Sequence, residues 1–119
     1  MTDPVTIMLV DDDPIIYRDL AGILRQWGYD VAAHPAAEDA WTALQAGARP
    51  DLLICDGGLT AMPGDELRRL MAADPALAPI PFLVYSGAPR DVDAGTRFLL
   101  KGNFRALVAT ISDMTTGAR

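Results

Sequence analysis

Apolar positions along the chain follow two alternating rhythms. Short, nearly continuous apolar runs occur at Thr6 to Val10, Leu52 to Cys55, Phe82 to Tyr85 and Arg97 to Leu100, with a weaker one at Tyr29 to Ala33. Runs of this length, without alternation, predict strands buried on both faces. Between them the apolar spacing changes to that of a helix. Ile16, Leu20, Ile23, Leu24 and Trp27 fall at i, i+4, i+7, i+8 and i+11, after Pro14 and before Gly28, so a first helix with this inward stripe is predicted. Ala37 to Ala46, with Trp41 and Leu44 on one side, predicts a second helix. Asp65 to Ala73, with Leu67, Leu70 and Met71 inward, predicts a third. Asn103 to Met114, with Phe104, Leu107, Val108 and Ile111, predicts the last. Strand and helix therefore alternate along one α/β domain spanning 1–119, with its core at about 5–114 and a polar tail. Such an order predicts a parallel sheet covered on both faces and joined by right-handed crossovers.

In sheets of this kind ligands gather beyond the carboxyl ends of the strands. Asp11 and Asp12 follow the first strand, Asp56 the third, Ser86 the fourth and Lys101 the fifth. Carboxylates crowded in a cleft repel one another, so their convergence calls for a cation, and oxygen-only ligands favour a hard one such as Mg2+. Lys101, the only lysine beside nine arginines, adds a compact positive charge. Metal, ammonium and hydroxyl aimed at one place suit a transferring phosphoryl group, and a carboxylate is a competent nucleophile for it. Asp13 reads instead as the N-cap of the first helix. His34, before Pro35, reads as a solvent-facing loop residue, and Trp27 and Trp41 as core or rim packing.

Charge and composition narrow the classes. The net charge of −6, from 10 basic and 16 acidic residues, excludes the clustered basic face that a nucleic-acid partner requires. The Arg68-Arg69 pair fits a solvated helix face. No apolar run approaches the roughly 20 residues that cross a bilayer, and Met1 to Pro4 has no secretory character, so a cytoplasmic protein without membrane contact is expected. The single cysteine, Cys55, reads as a small buried apolar residue.

The segments Ile7-Met8-Leu9-Val10-Asp11-Asp12-Asp13-Pro14, Pro50-Asp51-Leu52-Leu53-Ile54-Cys55-Asp56, Phe82-Leu83-Val84-Tyr85-Ser86-Gly87 and Phe98-Leu99-Leu100-Lys101 together resemble the receiver domain of bacterial two-component response regulators, including the single-domain chemotaxis regulator. The resemblance covers nearly the whole chain. It implies a flavodoxin-like, doubly wound five-stranded sheet in the order 2-1-3-4-5. It further implies that Asp56 is the phosphoacceptor, that Asp12, Asp56 and the backbone carbonyl of Gly58 are direct magnesium ligands, and that Asp11 acts largely through water. Ser86 would be the hydroxyl that moves to the phosphate, Lys101 the cation that contacts it, and Phe98 the aromatic switch. The implied partners are a sensor histidine kinase or histidine phosphotransfer protein and a downstream protein, with the chain a monomer or weak dimer and not an enzyme acting on outside substrates.

The chain departs from the family pattern in five places. Thr60 stands where a proline is usual, with Pro63 instead, and Gly58 has no side chain to guard the acceptor. Gly102 replaces the proline after Lys101. Gly87 to Thr96 is too rich in Gly, Pro and Asp for a full fourth helix, so that helix is expected to be short or absent. Phe98 lacks a hydroxyl for a hydrogen-bonded switch. These departures motivate an alternative, a pseudo-receiver that binds partners without phosphorylation. A small phosphatase with an aspartate nucleophile is a further alternative, although 119 residues leave no room for a substrate cap.

Overall fold

The structure, a computed structural model, describes residues 4–59, 62–88, 92 and 96–117. Strands β1 (Thr6–Val10), β2 (Asp30–His34), β3 (Leu52–Asp56), β4 (Phe82–Ser86) and β5 (Arg97–Leu100) form one sheet in the order β2-β1-β3-β4-β5, every pair parallel. Helices α1 (Pro14–Gln26), α2 (Ala37–Gln45), α3 (Gly64–Ala72) and α4 (Phe104–Met114) cover it. The strand order reverses between β1 and β3, so the chain leaves these neighbours in opposite directions and opens a crevice at their carboxyl ends.

Alternation along the strands sorts side chains into two cores. Ile7, Leu9, Ile54, Leu83 and Tyr85 face a cluster built with Leu20, Ala21 and Leu24 of α1 and Leu107 and Ile111 of α4. Met8, Val10, Leu53, Cys55 and Val84 face the opposite cluster, with Ala40 and Leu44 of α2 and Leu67 and Met71 of α3. Both faces are covered, which is why the strands read as continuous apolar runs. Cys55 is fully buried, and a Cβ added at Gly64 would lie 3.0 Å from its sulfur. The start of α3 thus passes so close to β3 that a side chain there would have to push the Cys55 sulfur aside by a few tenths of an ångström.

At the amino ends of the strands, β1 and β3 are fastened together. The Thr6 N–H and hydroxyl donate to Asp51 Oδ2 at 2.9 and 3.1 Å. The Asp51 N–H donates back to the Thr6 hydroxyl and carbonyl oxygens at 3.1 and 2.8 Å.

The structure corrects the sequence reading in detail. On α1 the buried residues are Leu20, Ala21 and Leu24, whereas Ile23 is 38 % and Trp27 60 % exposed. The predicted stripe is wider than the sheet can cover, and Trp27 instead meets Phe104 edge-on at 6.1 Å. Trp41 is half-buried against the α2 and α3 core. β2 runs one residue later than predicted, so His34 is its half-buried last residue and not a loop residue. Thr60, and most of the segment between Gly87 and Thr96, lie outside the described residues, so the expectation of a short or missing helix there concerns residues that are not described; among the described residues there are four helices. No described helix is long and apolar enough to cross a membrane.

Candidate functional site

Each strand-end residue singled out from the sequence is set in place by the strand before it. Asp11 follows β1 and is 2 % exposed. Its N–H donates to the His34 carbonyl at 3.2 Å, and its Oδ1 accepts the Asp13 N–H at 2.9 Å, which fixes the carboxylate in the crevice. Asp13 has a different duty. Its Oδ1 accepts the Ile15 and Ile16 N–H groups at 3.0 and 3.4 Å, capping α1 as its position predicts. Asp12, between them, is exposed.

Asp56 closes β3 with its side chain 11 % exposed. Lys101, just past β5, is held through its backbone, whose N–H donates to the Ser86 carbonyl at 2.8 Å. Its ammonium donates to Asp11 Oδ2 at 2.8 Å and to Asp56 Oδ1 at 3.1 Å. Gly102, which follows, has φ +112°, a left-handed conformation that glycine adopts without the steric cost other residues meet. Replacing the family's proline by glycine therefore leaves Lys101 able to reach both carboxylates.

One oxygen from each of Asp11, Asp12 and Asp56 lies within 4.8 Å of the others. The residues fit a small hard cation: three carboxylates less one ammonium leave two negative charges, the amount a divalent ion balances, and exposed Asp12 leaves space for water ligands. A Cβ at Gly58 would lie 3.7 Å from Asp56 Oδ2, so this loop residue stands directly against the carboxylate.

Burial raises the Asp11 carboxyl above its ordinary value and the neighbouring Asp56 charge adds to this, outweighing the lowering by the Lys101 and Asp13 hydrogen bonds. Burial acts to lower the Lys101 ammonium, but its hydrogen bonds to Asp11 and Asp56 prevail and the net shift is upward. Lys101 is thus held as a cation at neutral pH.

Ser86 is the buried last residue of β4, and its hydroxyl oxygen accepts the Ala88 N–H at 3.3 Å. Phe98 pairs with Val84 and packs half-buried against the α2 and α3 core, on the opposite sheet face from Tyr85. The structure therefore unites Asp11, Asp12, Asp56 and Lys101, with Ser86 at the end of the adjacent strand, and sets Phe98 apart from them. One neighbour was missed from the sequence: the Tyr85 ring, whose centroid lies 5.9 Å from the Lys101 ammonium. Inside an unbroken apolar run nothing marks which face a residue takes, and position beside Ser86 was the only available signal.

Comparison with known proteins agrees with this arrangement. Residues 7–111 match the model of the response regulator receiver domain. Protein RcaC of Microchaete diplosiphon is 35 % identical over 83 residues, which are 70 % of this chain and 13 % of RcaC, so the chain spans a small part of that relative's length. The chemotaxis response regulator CheY4 of Vibrio cholerae superposes with a TM-score of 0.81 at 21 % identity, covering 93 % of this chain and 98 % of that one. The response regulator TrrA of Thermotoga maritima, solved in complex with Mg(2+)-BeF, superposes with a TM-score of 0.82 at 21 % identity, covering 92 % and 98 %. At these identities the two structures speak to the fold, while the family match extends across both carboxylate strands and the lysine. A five-stranded 2-1-3-4-5 sheet with this match along it places the chain in the response regulator receiver domain family of two-component signalling.

Proposed function

We propose that the chain accepts a phosphoryl group on Asp56 from a histidine kinase or histidine phosphotransfer protein in the cytoplasm, and passes the signal on by contact with another protein. The observation that carries this reading is the Lys101 ammonium shared between Asp11 and Asp56, with Asp12 in the same cluster. An Asp56 carboxylate oxygen attacks the donor phosphorus, the new O–P bond forms, and the donor's P–N bond breaks with its electron pair returning to the histidine ring. Asp11, Asp12, Asp56 and the Gly58 carbonyl are the residues we assign to Mg2+. When bound, the ion supplies charge neutralisation for the phosphoryl oxygens. Lys101 balances the charge that builds up there, and the Ser86 hydroxyl is the donor we assign to the product phosphate. Bound phosphate then biases the domain between two conformations.

Intact mass after incubation with Mg2+ and acetyl phosphate tests the reading. One phosphoryl group is expected on the wild type and none on Asp56→Asn. An adduct that persists in Asp56→Asn removes the role from Asp56. A wild type that stays unmodified leaves only a phosphorylation-independent binding domain.

A further inference from the structure

Lys101 must hold a flexible, four-carbon side chain at one point between two carboxylates, and most of its surroundings are apolar. The groove below it is lined by Ile15, Ile16, Leu20 and Ile23 of α1 together with Tyr85, with Asp19 of α1 as its one carboxylate. Tyr85 pairs with Asp56 in the sheet and is 8 % exposed, so its ring sits on the strand next to Asp56 and inside the α1 and α4 core. Its ring face lies under the Lys101 ammonium at 5.9 Å, within the range at which a cation is attracted to an aromatic face. The next residue, Ser86, accepts the Lys101 backbone N–H. Tyr85 and Ser86 thus grip the lysine at both ends, one at the charged tip and the other at the main chain.

We infer that Tyr85 is a positioning residue, whose ring face keeps the Lys101 ammonium between Asp11 and Asp56. The carboxylates draw the ammonium from one side, and the negative face of the ring draws it from another. With the ring removed, the apolar lining does not hold the charge in place, and the long side chain gains room to swing away from Asp11 and Asp56, toward water or toward Asp19 on the same groove. The effect on phosphoryl transfer rests on the function proposed above, whereas the placement itself does not.

Because Lys101 is the only lysine, its side-chain methylene resonances are identifiable by NMR without ambiguity. In the wild type they should show the upfield displacement of protons over an aromatic face. Tyr85→Phe, which keeps the ring, should retain that displacement, and Tyr85→Leu should lose it. Phosphorylation of Asp56 by acetyl phosphate should proceed in Tyr85→Phe close to the wild-type rate, and in Tyr85→Leu about two- to fivefold more slowly, the scale of a partly exposed cation over a ring.

Undisplaced lysine resonances in the wild type overturn the inference. So does a Tyr85→Leu rate equal to wild type, or a Tyr85→Phe rate as low as that of Tyr85→Leu, which moves the effect from the ring to the hydroxyl. Should Tyr85→Leu fail to fold, the wild-type and Tyr85→Phe spectra decide alone. A wild type that takes up no phosphate defeats the proposed function, while the spectra still judge the placement.

Discussion

At Asp11 burial and charge work against each other. The carboxylate is almost wholly enclosed, faces Asp56, and is only partly compensated by Lys101. Its raised pKa means that the folded chain binds this proton more tightly than the unfolded chain. Stability therefore falls as pH climbs from the ordinary value of 3.8 through the higher folded one. Asp11→Asn keeps an oxygen for Lys101 and removes the charge. Without metal at pH 7 we expect it to be more stable than the wild type, because the buried charge that burial and Asp56 disfavour is gone. Denaturant unfolding across pH 3 to 7 tests this: the gap between the two proteins should open as pH rises, and a constant gap refutes it. The strand-end positions of Asp11, Asp12, Asp56, Ser86 and Lys101 were legible because each interrupts or ends an apolar run. That Lys101 binds Asp11 as well as Asp56 was not legible, since it depends on how far a flexible side chain reaches across the crevice.

Among the elements, α1 shows where apolar spacing misleads. Of its predicted stripe Leu20 and Leu24 are buried and Ile16 half-buried, while Ile23 and Trp27 meet solvent; Ala21 is buried outside the stripe, and Ile15, also outside it, is 68 % exposed. Periodicity tells which residues share a side of a helix, but not how much of that side the sheet can cover. Leu24→Ala should cost about 2 to 5 kcal/mol, because it leaves a cavity in a fully buried site. Ile15→Ala should change stability by less than roughly 0.5 kcal/mol. Equal losses for the two in chemical denaturation refute the assigned packing. The inner strands β1, β3 and β4 were legible almost to the residue because both of their faces are covered, which makes their runs nearly continuously apolar. The one-residue shift of β2 reflects its edge position, where Asp30 and Ala32 are exposed and the apolar signal is thin.

For the whole molecule, the proposed metal assignment ties stability to the same carboxylates. The unfolded chain scatters Asp11, Asp12 and Asp56 and has no assembled cluster to offer, so under the metal assignment proposed above Mg2+ should stabilise the fold by mass action. At tenfold excess over its dissociation constant the gain is about 1.4 kcal/mol. For a domain of this size that raises the melting temperature by roughly 4 to 8 °C. Asp11→Asn should gain much less. A melting temperature of the wild type that ignores millimolar Mg2+ counts against the metal assignment.

The four hydrogen bonds between Thr6 and Asp51 lie at the amino ends of the strands, opposite the carboxylates. Together with the parallel ladder that pairs Ile7 to Val10 with Leu52 to Cys55, they hold β1 and β3 side by side along their whole length, so Asp11 and Asp56 meet across a crevice whose walls are fixed from below.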